Sequence, residues 1–194
     1  MKYWRISNHA DLSGRGGWRA AGRWHSAGRP IVYLAEHPAS ALLEVLVHLD
    51  IGDASALPTG YQLLEVMTAA KVSALGLPAH ALDVTWRDDP GVTRAIGDAW
   101  LRSGQSALLR VPSALVPNVA NYLVNPQHAD ASQLSIKSVA RYPFDNRLFK
   151  IVDGGEKAAR LPAPCHSVLA NHESPGLVKQ ELMPERPYSA LSIA

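Results

Sequence analysis

Glu44 has the clearest chemical potential in the sequence, because it is the only formal charge between Pro38 and Val47 in an otherwise apolar stretch. An ionised carboxylate among apolar side chains is costly unless a partner or a ligand compensates for its lost hydration. The stretch begins with a proline suited to a first helical turn and continues with strong helix formers. We therefore predict a helix on which Glu44 either acts on a ligand or forms a structural ion pair.

Two arginines beside tryptophans suggest a second kind of chemistry, the binding of phosphate. The pairs are Trp4-Arg5 and Arg23-Trp24. Guanidinium groups grip phosphate through paired hydrogen bonds, and aromatic rings stack on a nucleobase or a pyridine. The surrounding first thirty residues carry six cations and one acid, whereas the next forty carry five acids and neither lysine nor arginine. This uneven charge indicates either a ligand with phosphate and cationic groups or simple pairing of the two segments.

Two further side chains lie where strands are expected to position them. Tyr33 belongs to the β-branched and aromatic run 31–35, which predicts a mostly buried strand just before the Glu44 helix. Its simplest role is packing, with the hydroxyl bonded to the backbone. Ser113 follows the apolar strand predicted at 107–111, where a rigid sheet would position a loop, although a serine there also commonly caps a turn.

The elements that position these residues are predicted from the hydrophobic pattern and the turn signals. Helices are expected at 38–48 and 93–101, and strands at 3–6, 22–25, 31–35, 61–66, 107–111 and 138–142. The second and third strands are expected to form a hairpin, and segment 118–126, which is rich in Asn and Pro, is expected to be irregular. Apolar residues cover nearly the whole circumference of the first helix, which predicts burial on most of its sides.

Bulk composition predicts one domain and a tail. The 194 residues are 47% hydrophobic and 19% charged, which suffices for one core. Residues 1–150 are expected to form that single domain, and the proline-punctuated residues 151–194 a C-terminal extension whose role stays open. No apolar run reaches the ~20 residues of a membrane span, and the N-terminus lacks the pattern of a secretory signal, so a cytoplasmic location is expected.

Several function classes lack their motifs. The single cysteine, Cys165, has no thiol partner, and the eight histidines show no ligand spacing, so no metal site is expected. A Walker loop, a Rossmann glycine fingerprint, a Gly-x-Ser-x-Gly elbow and a His-Glu-x-x-His motif are absent from the sequence, which disfavours ATPases, dehydrogenases, serine hydrolases and zinc proteases. The net charge of +2 is too small to predict direct nucleic-acid binding.

Taken together, the ordered short motifs resemble the RES domain, a family found in bacterial toxin–antitoxin pairs. They are Trp4-Arg5, Gly16-Gly17, Gly22-Arg23-Trp24, Ile31 to Ala35, Leu42 to His48, Gly97 to Leu101, Val111-Pro112-Ser113, Asn121 to His128 and Asp145 to Phe149. The resemblance covers residues 1 to about 149. It implies an α+β domain with a mixed sheet, similar to ADP-ribosyltransferase toxins, around a central cleft for NAD⁺.

The resemblance also implies roles for individual residues. The three that give the family its name match Arg23, Glu44 and Ser113, which are expected to be catalytic. NAD⁺ is expected as a substrate, with Arg5, Trp24, Tyr33 and Asn121 as further binding residues. Cleavage of the nicotinamide–ribose bond builds positive charge on the ribose, and a carboxylate such as Glu44 would stabilise it.

The acceptor of the ADP-ribosyl group stays open at this level. Water would make the protein a glycohydrolase, phosphate a phosphorylase, and a side chain of a cellular protein an ADP-ribosyltransferase. A module that only binds an antitoxin or a nucleotide is the alternative without catalysis. The resemblance further implies a cognate Xre-type antitoxin that blocks the cleft, expected within a symmetric hetero-oligomer.

Overall fold

The computed structural model describes residues 1–49, 60–69, 71–142 and 144–148. The predicted extension 151–194, with Cys165, lies outside the described residues, as does most of the loop before residue 60. Within the described part of the chain, no helix is long and apolar enough to cross a membrane.

A seven-stranded sheet with three α-helices makes up the described fold. The strands are β1 (Lys2–Ser7), β2 (Val32–Ala35), β3 (Gln62–Thr68), β4 (Ala74–Gly76), β5 (Leu108–Pro112), β6 (Ala120–Val124) and β7 (Leu134–Arg141); the helices are α1 (Gly16–Arg19), α2 (Pro38–Leu46) and α3 (Pro90–Ser103). Short 3₁₀ helices occupy Ala79–Ala81, Ala129–Gln133 and Asn146–Leu148. The strand order is β4-β5-β6-β2-β1-β3-β7, with β4 and β5 parallel and every other neighbouring pair antiparallel. The predicted α+β class with a mixed sheet is confirmed.

Both faces of the central strands are buried, because alternate side chains point to opposite sides of a sheet. Leu108 of β5 and Val124 of β6 belong to one hydrophobic cluster, whereas their neighbours Leu109 and Leu123 belong to another. The second cluster also contains Trp100 of α3, so that helix covers one face of the sheet. Burial on both faces explains why most residues of these two strands are apolar.

The sheet opens between β1 and β2, and this opening creates room for a site. Among the described residues, these two strands share one register pair, in which Trp4 lies opposite Ala35. In contrast, β1 pairs with β3 along its full length, and β2 pairs with β6 through four residues. The strands on either side are therefore firmly held while the two central ones diverge.

Helix α3 contains the predicted helix 93–101 and extends it by three residues at the N-terminus and two at the C-terminus. Asp89 caps its N-terminus by accepting a hydrogen bond of 2.7 Å from the Gly91 amide, and Pro90 occupies the first turn. At the other end Gly104 has a φ of 58°, the left-handed conformation that glycine adopts readily.

The strand and hairpin predicted at 22–25 are wrong. This segment is irregular, and side chains of α3 bind its carbonyl groups: the Thr93 hydroxyl donates to Arg23 O at 2.6 Å, and Arg94 Nε donates to Gly22 O at 2.8 Å. Since these backbone acceptors are satisfied by a helix, they do not take part in a strand ladder.

Two further predictions are corrected. Segment 118–126, expected to be irregular, contains β6, and its buried Asn121 and Asn125 are tolerated because their amides donate hydrogen bonds to Glu44 and to Leu101 O. Helix α2, expected to be buried on most sides, ends at Leu46, buries Ser40 and Ala41 and leaves Leu43 43% exposed. Ala41 and Val45 of α2 pack on the cluster that contains Ile6 and Ala35, and together with Glu44 they also line a cavity.

Candidate active site

A cavity of about 470 Å³ lies where β1 and β2 diverge. It is lined by Trp4, Arg5 and Ile6 of β1, Tyr33, Leu34 and Ala35 of β2, Glu44 and His48 on the α2 side, Asn121 of β6, and the segment Ala20–His25. Its volume falls within the usual range for sites that bind small molecules. The cavity collects most of the residues that the sequence singles out for chemistry.

The Glu44 carboxylate is held by two side-chain donors. Asn121 Nδ2 donates to Glu44 Oε1 at 2.6 Å, and Ser113 Oγ donates to the same oxygen at 3.1 Å. Within the described residues both bonds fall on Oε1, so Oε2 keeps its capacity to accept from a ligand. The acid is therefore oriented in the cavity wall without being neutralised by a cation.

Local structure explains how these three residues meet. His37 caps α2, since its Nδ1 accepts the Ala39 N–H, and the helix then carries Glu44 towards β6. Asn121 lies between its register partners Ala35 and Val111, in the middle of the sheet. Ser113 directly follows β5, the strand beside β6.

Ser113 holds the Glu44 carboxylate through its buried hydroxyl. Its side chain is buried, with 2% of the residue exposed, and its Oγ also accepts the Leu115 and Val116 amide hydrogens at 3.1 Å each. Its hydroxyl is engaged by three partners, one of which is the Glu44 carboxylate, so Ser113 is placed to orient that acid.

Two buried polar atoms of the site have no partner among the described residues: Nη1 of Arg5 and Oδ1 of Asn121. Burial lowers the pKa of the Arg5 guanidinium below its usual value. A buried donor or acceptor without a partner costs free energy, and native proteins leave few such groups unsatisfied. An anion at Arg5 and a hydroxyl or amide donor at Asn121 would satisfy them.

Arg23 differs from Arg5 although both lie beside tryptophans and line the cavity. Its Nη1 donates to Arg87 O at 2.9 Å and to Trp86 O at 3.5 Å, so its guanidinium already ties two segments of backbone together. Trp24 is 2% exposed and its indole packs against Trp86, with ring centroids 5.9 Å apart. The indole therefore belongs to the core rather than to a free stacking surface.

Tyr33 forms a hydrogen-bond chain with His25, a residue that the sequence analysis missed. The Tyr33 hydroxyl accepts the Trp24 N–H at 3.1 Å and lies 2.9 Å from His25 Nδ1, while His25 Nε2 lies 3.1 Å from Ala20 O. Ala20 O can only accept, so Nε2 carries the proton and Nδ1 accepts from the tyrosine. Burial raises the pKa of Tyr33 and lowers the pKa of His25, so both are neutral.

This arrangement predicts a pH dependence of stability. The folded protein holds the pKa of His25 below its ordinary 6.5, because burial disfavours the charged form. The unfolded chain therefore binds more protons than the folded one in that window, and the free energy of unfolding should fall as the pH drops from about 6.5 towards the lowered value. Urea unfolding at about pH 7.5 and about pH 5.5 measures the effect.

The matched variant is His25→Asn, which keeps an acceptor for Tyr33 but cannot titrate. Its stability should vary less over the same pH interval than that of the wild type. Equal pH dependence in both proteins would remove His25 as the titrating group.

Helix α3 positions one wall of the cavity, and the sequence assigned no role to the residues that do so. Besides Thr93 and Arg94, Asp98 accepts the Ser26 N–H at 3.0 Å and forms an ion pair with Arg29 at 3.1 Å. Gly97 lies against the backbone of Trp24, where a Cβ would come within 1.8 Å of the carbonyl oxygen. The signal that could have revealed this role is Gly97 followed by Asp98 inside an amphipathic helix. Glycine is unfavourable in a helix interior, so its presence indicates close packing against another segment.

Among the described residues, no group of three or more His, Cys, Asp or Glu side chains is arranged to hold a metal ion. The polar atoms free to meet a ligand are instead a carboxylate oxygen, a guanidinium nitrogen and an amide oxygen. That set suits an organic ligand carrying hydroxyl and anionic groups.

Three comparisons with known proteins bear on the family and the fold. A family profile described as the RES domain matches residues 2–145. "Toxin Res" of Pseudomonas putida is 48% identical over 149 residues, which cover 77% of this chain and 100% of that protein. "Prs ADP-ribosylating toxin" of Sphingobium sp. is 36% identical over 159 residues, which cover 76% of this chain and 96% of that protein. The fold resembles a chain in the crystal structure of the M. tuberculosis MbcT–MbcA toxin–antitoxin complex, with a TM-score of 0.58, 22% identity, and coverage of 77% and 87%.

Proposed function

This chain belongs to the RES-domain family, and from that premise we propose that it is the toxin of a toxin–antitoxin system. The toxin consumes NAD⁺ by cleaving its nicotinamide–ribose bond. The observation that carries the proposal is the Glu44 carboxylate, oriented by Asn121 and Ser113 in the wall of the cavity. As nicotinamide departs with the electron pair of the C–N bond, positive charge develops on the ribose. A preorganised carboxylate stabilises that charge without reorganising during the reaction.

Arg5 and Asn121 are the proposed binding residues. The partnerless Nη1 of Arg5 would meet an oxygen of the dinucleotide's diphosphate, since guanidinium groups bind phosphate strongly. The partnerless Oδ1 of Asn121 would accept from a ribose hydroxyl next to Glu44. Both contacts would satisfy buried groups that the described residues leave unpaired.

Arg23, Trp24 and Tyr33 contribute by holding the wall that the substrate meets. Each is bound to other parts of the protein through the contacts described above, which leaves the Tyr33 hydroxyl and the Trp24 indole little capacity for further partners. Arg23 retains guanidinium donors beyond Nη1, so it can also reach a substrate oxygen. Ser113 acts by positioning Glu44.

Nicotinamide leaves as a neutral molecule, so the reaction needs no strong acid. Water as acceptor gives ADP-ribose and a proton, and inorganic phosphate gives ADP-ribose 1″-phosphate. Transfer to a protein side chain is the second candidate activity, and it is favoured by the 36% identity to a relative named as an ADP-ribosylating toxin.

An antitoxin partner of the Xre type is part of the proposal. Val47 and Leu115 line the cavity and are 59% and 40% exposed, so apolar surface lies at its mouth. A protein that covered these side chains would bury apolar area and block the cavity at once.

Incubation of the purified full-length chain with NAD⁺, with and without phosphate, tests the proposal. We expect free nicotinamide together with ADP-ribose or ADP-ribose 1″-phosphate. Nicotinamide release only when a lysate is added, with a mass gain on a lysate protein, would select the transferase. Intact NAD⁺ under every condition would contradict catalysis and leave a binding module.

A further inference from the structure

The arginines and lysine of the first thirty residues fall into two groups. Three have partners: Lys2 pairs with Glu65 at 3.0 Å, Arg29 pairs with Asp98 at 3.1 Å, and Arg23 donates to backbone carbonyls. The other three are Arg5, Arg15 and Arg19. Among the described residues, neither Arg15 nor Arg19 has a hydrogen bond or an ion pair, and Arg5 has a buried nitrogen without a partner.

All three of these arginines line concave surface. Arg5 lies in the main cavity, whereas Arg15 and Arg19 line a second, smaller pocket of about 180 Å³ together with His9 and Asp11. Gly16 lines both, so the two concavities adjoin. The other three cations of this region are engaged by partners, so Arg15, Arg19 and the Nη1 of Arg5 stay available to a ligand.

The charge of the smaller pocket suits an anion. Its single carboxylate, Asp11, already accepts two hydrogen bonds from Ser13 and interacts electrostatically with Arg5 and His9. Two arginines and a histidine therefore face a small concavity with one acid that is already engaged. The interaction between Asp11 and Arg5 also indicates that the smaller pocket lies near the Arg5 region of the main cavity.

We propose that the pocket formed by His9, Arg15 and Arg19 binds a second phosphoryl group, distinct from the diphosphate oxygen that Arg5 would meet. This inference rests on the proposed function and deepens it. The phosphoryl group comes from one of two sources: the 2′-phosphate of NADP⁺ as substrate, or inorganic phosphate bound as a free anion. A pocket of this size accommodates a phosphate but not a whole nucleotide.

The test compares the double variant Arg15→Ala/Arg19→Ala with the control Arg102→Ala, which removes an exposed arginine from the far end of α3. We expect the double variant to raise the KM for NADP⁺ or the Kd for inorganic phosphate about tenfold or more, with kcat and the KM for NAD⁺ unchanged. An effect on NADP⁺ identifies the 2′-phosphate as the source, and an effect on the Kd for inorganic phosphate alone identifies the free anion. The control should match the wild type.

A binding measurement separates this inference from the proposed function. Inorganic phosphate or NADP⁺ should raise the melting temperature of the wild type and of Arg102→Ala more than that of the double variant, even if no nicotinamide is released. Equal shifts in all three proteins, or no shift in any, would overturn the second phosphoryl site. Equal loss of affinity for NAD⁺ and NADP⁺ would overturn it too, because the arginines would then serve the shared diphosphate.

Discussion

Glu44→Gln should lower kcat for nicotinamide release by about 10²- to 10³-fold or more while the protein remains folded. Glutamine keeps an oxygen that can accept from Ser113 and Asn121, so the hydrogen bonds to position 44 survive. It removes the negative charge that would face the developing positive charge of the ribose. Nicotinamide release at saturating NAD⁺ measures the loss, and circular dichroism with thermal unfolding measures the fold.

The matched control is Glu65→Gln, which removes a carboxylate from the ion pair with Lys2, whose side chain is 51% exposed. An ion pair with an exposed partner contributes little to stability, and Glu65 is not among the residues that line the cavity, so this variant should turn over NAD⁺ at nearly the wild-type rate. Comparable kcat in Glu44→Gln and Glu65→Gln would remove Glu44 from the mechanism.

Gly97→Ala should destabilise the protein by about 1–3 kcal/mol or more and impair NAD⁺ turnover, although Gly97 lines no part of the cavity. A Cβ at this position would come within 1.8 Å of Trp24 O, and backbone cannot move aside as the end of a flexible side chain can. Either α3 separates from the sheet or segment 22–25 shifts, and that segment forms one wall of the cavity. Urea unfolding and the KM for NAD⁺ measure the two effects.

Gly76→Ala serves as the control for this substitution. A Cβ there meets nothing within 4 Å, so stability and KM should stay close to the wild type. A Gly97→Ala protein with wild-type stability and KM would show that α3 does not position the wall.

The elements that the sequence predicted well are those specified by local chemistry. Helix α3 carries its own start and stop signals in Asp89, Pro90 and Gly104, and β5 is apolar except for the exposed Arg110 because most of its side chains are buried. Segment 22–25 was misassigned because its aromatic and polar alternation is typical of a strand, whereas the groups that bind its backbone lie on α3, about 70 residues later.

In the candidate site, too, the sequence predicted some residues correctly and could not predict contacts between residues distant in the chain. The ordered motifs that resemble the RES domain identified Glu44, Ser113 and Asn121, and the structure brings these three side chains into contact. The local pattern treats Arg5 and Arg23 alike, since each adjoins a tryptophan, and only the resemblance gave them different roles. The structural difference arises because Arg23 meets carbonyl groups 63 and 64 residues away, and such a contact leaves no trace in local sequence.

A crystal structure of the Glu44→Gln protein with bound NAD⁺ tests the central claim most directly. We predict that the dinucleotide lies in the cavity between β1 and β2, with its nicotinamide ribose beside the side chain at position 44 and its diphosphate at Arg5. A dinucleotide bound elsewhere, or bound with that ribose away from position 44, would contradict the account.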